Sequence, residues 1–204
     1  MTTTATKERE PEAQVLAAEV GGQIPSQLYV PGQGHLWSAT PKDTAPPADT
    51  MTPPGAPWFD HGFTTEDGCA FSFGRTTDQL KGWQSLDSLR TITTEMLKTV
   101  KFTLMQSNEP NLKLALGGGT VAATTGIYTP PDPTVIDVRS LWIVANDGGA
   151  LWGFYCPRAI INANVDFSWK KTGASELPLE FSIEAAAPGA PPYQFYFPLS
   201  WNLS

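Results

Sequence analysis

Along much of the chain apolar residues recur at every second position, the spacing of a strand that buries one face and shows the other. In "KTVKFTLMQ", Val100, Phe102 and Leu104 fall on one face, with Lys101, Thr103 and Met105 on the other. "LEFSIEA" sets Leu179, Phe181 and Ile183 against Glu180, Ser182 and Glu184, and "VDFSWKK" sets Val165, Phe167 and Trp169 against Asp166, Ser168 and Lys170. "GCAFSFG" sets Phe71 and Phe73 against Ala70, Ser72 and Gly74, and "GHLWSA" supplies a first strand. Each pattern predicts a half-buried antiparallel strand.

Two stretches depart from simple alternation. "SLWIVANDGGALWGFYC" is apolar on both faces around Asp147, Gly148 and Gly149, which predicts a hairpin covered on both sides. "QSNEPNLKLALGGG" predicts the one helix: Asn108 caps, Glu109 and Pro110 suit the first turn, Leu112, Ala115 and Leu116 form the apolar stripe, and Gly117 ends it. Asp67 followed by Gly68 reads as a further turn. The fold class is therefore mainly β, an antiparallel sandwich or barrel with one flanking helix.

Two segments lack a core of their own. Residues 1–34 are polar at first and then broken by Gly and Pro, yet carry Ile24, Leu28, Tyr29 and Val30. An arm of apolar beads gains order by lying on a neighbour. The first residues read equally well as a disordered tail. The β domain then occupies 35–204, interrupted at 41–57 by the Pro-rich "PKDTAPPADTMTPPGAP", which is too poor in apolar periodicity to be an ordinary connection.

Composition sharpens this picture. Charged residues are 16% of the 204, below the ~25% of ordinary domains, while Gly (18), Pro (19) and 11% aromatic residues suit a turn-rich β protein with surface buried by other subunits. A net charge of −7 opposes direct affinity for nucleic acid, which needs Lys and Arg to displace counterions. No run approaches the ~18 apolar residues of a membrane span. "MTTTATKEREPEAQ" lacks the apolar core of a signal peptide, so synthesis and retention in the cytoplasm are expected unless a larger assembly exports the chain. Cys69 and Cys156 read as buried free thiols.

Tests for chemistry return no strong motif. "LALGGGTVAATTG" follows a helix instead of preceding one and has no Lys for a phosphate. His35 and His61 have no ligand partners at familiar spacing, and "DHGFTTED" lacks the alternation of a calcium loop. No Ser is marked as activated. A carboxylate pair for glycoside hydrolysis among Glu66, Asp67, Asp87, Glu180 and Glu184 is recognised only by geometry and stays open at this stage. The seven Trp residues suit core and subunit contacts better than a stacking platform. No catalytic residue, cofactor or metal is expected.

The residues do carry a resemblance. "WFDHGFTTEDG", a short strand, "GWQSLDSLR", "TVKFTL", a helix opened by Asn and "LALGGG" together resemble the tail tube, or major tail, proteins of long-tailed non-contractile bacteriophages, especially those of actinobacterial hosts. The resemblance runs from about Gly34 to Leu199 and is strongest from Trp58 to Gly119. It departs at His61, where Leu is usual.

The resemblance implies a β-sandwich subunit in hexameric rings that stack into a tube around a tape-measure protein. Tail terminator and tip proteins would close its ends, and double-stranded DNA would pass without specific binding. Subunit contacts are then expected at Ile24, Leu28, Tyr29, Val30, Trp58, Trp83, Gln84 and Arg90, with the arm and loop 41–57 joining rings. A lumen face is expected at Asp166, Glu180 and Glu184, because carboxylates repel phosphates. Competing readings are a tail terminator, a secretion-type tube subunit and a carbohydrate-binding sandwich.

Overall fold

A computed structural model describes residues 28–40, 42–50, 52–81, 83–84, 87–162, 165–169 and 171–198. The chain divides into two compact units, Met1–Val30 and Pro31–Ser204. The described elements all lie in the second. In chain order they are β1 (Gln33–Ala39), β2 (Trp58–Asp60), β3 (Thr64–Lys81), β4 (Ser88–Leu104), helix α1 (Glu109–Ala115), β5 (Thr120–Val121), β6 (Tyr128–Thr129), β7 (Val138–Asp147), β8 (Ala150–Ile161), β9 (Leu177–Glu184) and β10 (Gln194–Tyr196).

Seven strands of one antiparallel sheet run in the order β2-β1-β7-β8-β9-β4-β3, β10 joins the sheet as an eighth strand beside β8, and β5 and β6 pair separately. The β7–β8 hairpin is the predicted one, with Gly148 and Gly149 at positive φ of 55° and 102°. β8 serves two partners along one edge, β10 at residues 153–155 and β9 at residues 158–161. Pro157 sits between them, where the β7 register also slips, so its missing N–H costs no ladder bond.

Alternation decides which face is buried. Val100, Phe102 and Leu104 of β4 and Leu179, Phe181 and Ile183 of β9 join Leu36, Leu141, Ile143 and Phe154 in the main core. Phe102 stacks on Phe181 with ring centroids 5.4 Å apart. Helix α1 adds Leu114 and Ala115. Asn108 caps it by accepting from Asn111 N–H at 2.9 Å, and Gly117 leaves it at φ 72°. Its apolar stripe is the expected one only in part: Ala115 is buried and Leu112 half-buried, but Leu114 is buried in place of Leu116, which is exposed.

The opposite face of the β7–β8 hairpin carries a second cluster of Trp37, Trp142, Val144 and Tyr155, with Trp58 and Tyr196 packed on it. Residues 43–50 of the Pro-rich loop lie over this face. Thr44 N–H donates to Ser140 Oγ at 3.0 Å, and Tyr155 O–H donates to the Thr44 carbonyl at 2.6 Å. Asp43 N–H donates to the Pro157 carbonyl at 3.0 Å. Arg158 grips the Asp43 carboxylate through Nε at 2.8 Å and Nη2 at 2.6 Å.

Two further expectations need correction. Residues 165–169 are not a strand: they lie between β8 and β9 in the chain, and both of those strands are already paired on each edge, β8 with β7 and β9, and β9 with β8 and β4. Phe167 and Trp169 instead pack edge-on at 6.4 Å and stay exposed. Asp67–Gly68 is not a hairpin turn but a bulge inside β3, where the register slips between Thr64 and Cys69 and Gly68 takes φ 65°.

Candidate subunit-joining surfaces

β3 and β4 are far longer than their neighbours, 18 and 17 residues, and remain paired with each other from Cys69↔Phe102 to Lys81↔Ser88. β9 accompanies β4 only over Thr99–Leu104. Residues 73–81 and 88–98 therefore form a two-stranded ribbon reaching about 30 Å beyond the sheet at 3.3–3.4 Å per residue. Among the described residues both of its outer edges are unpaired. Such a ribbon is marginally stable alone. Its sequence favours extension all the same, since "TITT" in β4 is β-branched throughout.

The side chains of the ribbon look outward for partners. At its root Phe71 and Phe73 lie on the core side but remain about a third to a half exposed (37% and 47%), because β3 is an edge strand. They pack on Phe154 at 4.7 Å and Tyr193 at 4.9 Å. Farther out Leu80, Leu89, Met96 and Leu97 are exposed, and Trp83 is exposed completely (100%). Arg75, Asp78, Arg90, Glu95 and Lys98 are in no ion pair among the described residues. Elsewhere pairing is common: Lys101 with Glu180, Lys113 with Glu109, Arg139 with Asp137 and Arg158 with Asp43.

Trp83 and Gln84 thus sit at the ribbon tip and Arg90 beside it. Leu28 and Val30 are exposed and Tyr29 half-buried, while Ile24 lies outside the described residues. Trp58 is engaged within its own chain, edge-on to Tyr155 at 6.4 Å. Residues 43–50 of the Pro-rich loop are likewise held to their own sheet.

Glu180 and Glu184 share the polar face of β9, whereas Asp166 lies in the irregular 165–169 segment, apart from that strand. Lys101 Nζ reaches Glu180 at 2.8 Å and holds its carboxyl below the usual range, and Glu184 lies directly across from Arg158. With Asp43 also on Arg158, three carboxylates meet two cations, so this face is only weakly negative.

A buried feature that sequence reading missed joins the helix to the sheet. His61 is wholly buried, with Nδ1 2.6 Å from Asn111 Oδ1 and Nε2 2.7 Å from Ser38 Oγ. Burial pushes its pKa down to about 4, partly opposed by the Asn111 hydrogen bond. The cleft beside it, lined by Ser38, Phe59, Lys113 and Arg139, has both cations already paired. Cys69 and Cys156 are free thiols that burial pushes up to about 12, far from the range of a reactive thiolate. No helix among the described residues is long and apolar enough to cross a membrane.

The sequence model of one protein family, described as phage tail tube protein, matches residues 22–198, which covers most of the chain. No curated protein matches it.

Proposed function

The chain belongs to the phage tail tube protein family, a structural component of the virion tail, and from that premise we propose that its copies close into hexameric rings through the β3–β4 ribbon. Rings stacked on one another form the conduit for the genome, assembled in the host cytoplasm around a tape-measure protein and finished by terminator and tip proteins.

The ribbon carries this reading. An isolated chain with two long unpaired edges and exposed Leu, Met and Trp side chains is prone to uncontrolled pairing. Rotation about a ring axis leaves every ribbon pointing the same way, so β4 of one copy lies antiparallel to β3 of the next. Closing the circle satisfies all these edges at once, and the head-to-tail contact is of the kind that makes rings.

With residues 43–50 held to their own sheet, ring-to-ring contact falls to the 1–34 arm and the ribbon tip. The polar face of β9 and β4 faces the lumen in this reading. Its near-balanced charge offers passing DNA neither a cationic trap nor a strongly repulsive wall.

Size-exclusion chromatography with light scattering, followed by negative-stain electron microscopy, tests the proposal. Six-fold rings or hollow tubes are expected at high protein concentration. A species that stops at one ring would make the chain a terminator. A monomer that persists even with the tape-measure protein present would overturn ring formation.

A further inference from the structure

The unpaired charges of the ribbon do more than mark it as an interface; they select one alignment of neighbouring copies. We infer that Asp78 of one copy pairs with Arg90 of the next, fixing the strand register of the ring joint. This inference rests on the edge-to-edge closure proposed above.

Within the chain, Leu80 faces Arg90, Asp78 faces Ile92 and Phe73 faces Lys98. Asp78 and Arg90 therefore share one face of the ribbon, as partners across an antiparallel pair and their second neighbours along the strand do. Glu95, opposite Thr76, lies on that face, whereas Arg75 and Lys98 lie on the other. A slide of one residue between copies exchanges the faces, so the admissible registers differ by two.

Like charges separate these registers. Repeating the internal register between copies sets Lys98 diagonal to Arg75 on one face and Glu95 diagonal to Asp78 on the other. A slide of two residues in one direction is worse, because it puts Lys98 directly against Arg75 and Glu95 directly against Asp78. The same slide in the opposite direction, with the bulge at Thr94 kept, brings Arg90 directly opposite Asp78. It also leaves Lys98 facing Phe71 and Glu95 facing Gly74. Only this third alignment separates both like-charged pairs and gives Arg90 a directly facing carboxylate. Like charges directly opposite destabilise a strand pair and opposite charges favour it.

Both groups are available for this role. Asp78 and Arg90 are exposed, neither is in an ion pair within the described chain, and β9 does not cover their part of the ribbon. Arg90 also presents a planar fork of donors suited to one carboxylate.

The experiment uses the full chain as Asp78→Arg and Arg90→Asp single variants, each checked for wild-type circular dichroism and run beside wild type in light scattering and electron microscopy. Each variant alone sets like charges at every joint and is expected to stay monomeric where wild type forms rings. An equal mixture is expected to assemble, because alternating copies restore an Asp–Arg pair at both kinds of joint. Single variants that assemble like wild type overturn the register pair and leave the ring reading intact. A wild type that never assembles removes the ring reading itself, and the pair with it.

As a check independent of charge, Asp78→Cys and Arg90→Cys chains are mixed under mild oxidation. The mixture is expected to give a covalent dimer absent from either chain alone, since Cys156 is buried and the half-buried Cys69 is held as the unreactive thiol by desolvation. Assembled rings that give no such dimer place the two positions apart and overturn the pair.

Discussion

His61 and Asn111, 50 residues apart in sequence, hold each other in both directions: the imidazole Nδ1 lies 2.6 Å from Asn111 Oδ1, and Asn111 Nδ2 donates to the His61 carbonyl at 3.0 Å. Asn111 Nδ2 also donates to the Gln106 carbonyl at 2.8 Å, which fixes the orientation of the amide and leaves Oδ1 to accept. The ring hydrogen therefore sits on Nδ1, and Nε2 accepts from the Ser38 hydroxyl.

This neutral, buried imidazole makes stability depend on pH. Its pKa in the fold is about 4 against 6.5 for the free side chain, so the unfolded chain takes up a proton first as pH falls. Its contribution is complete above pH 6.5 and is lost progressively between 6.5 and about 4, on the order of 3 kcal/mol in all. Urea unfolding at pH 7, 5.5 and 4.5 should show a steeper loss in wild type than in His61→Gln, which cannot titrate. Equal losses in the two proteins would mean that His61 charges as readily in the fold as outside it.

Removing the other partner isolates the hydrogen bonds from the charge. Asn111→Ala strands the His61 Nδ1–H and two backbone carbonyls in the interior, and unsatisfied buried groups cost about 1–3 kcal/mol each before any relaxation. A loss of about 2–4 kcal/mol at pH 7 is expected by urea unfolding. A loss below about 1 kcal/mol would show that water replaces the amide.

The covering of Trp142 by residues 43–50 is tested at Gly153. A Cβ there would lie 2.7 Å from Trp142 Cη2 and 2.8 Å from Thr50 Cγ2, too close for either to remain in place. Gly153→Ala should therefore cost about 1–3 kcal/mol by overpacking and speed hydrogen exchange in residues 42–50. An unchanged melting temperature and exchange pattern would show that the loop sits off the Trp142 ring.

What the sequence made legible followed from alternation wherever a partner strand was available. Val100, Phe102 and Leu104 and Leu179, Phe181 and Ile183 are buried as their spacing requires. Val165, Phe167 and Trp169 alternate just as well, yet the strands that flank that segment in the chain, β8 and β9, are paired on both edges, and a single stretch of sequence does not reveal which ladders are full. Gly68 needs positive φ in a bulge as it would in a turn, so "DG" does not distinguish them. The Ser38–His61–Asn111 contact joins three segments that meet only in the folded chain, and its sole local trace is a His where family members are expected to carry Leu. The segment around Trp83 reads as a neighbour contact, but its emergence as a ribbon depends on β9 stopping at Thr99.

Trp83 offers a clean separation between folding and assembly. It is fully exposed at the ribbon tip, so the isolated chain gains nothing by burying it. Surface substitutions away from packed or hydrogen-bonded features change stability by about 0.5 kcal/mol or less, and Trp83→Ala should leave monomer unfolding within that range. Trp anchors buried at the centre of an interface, by contrast, commonly contribute 2 kcal/mol or more, a shift of about 30-fold in an association constant. Light scattering across a dilution series should therefore move the concentration for assembly upward by an order of magnitude or more, with the unfolding curve of the monomer unchanged. If assembly is unaffected, the tip of the ribbon is not buried between copies, and the joint lies nearer its root at Phe73 and Met96.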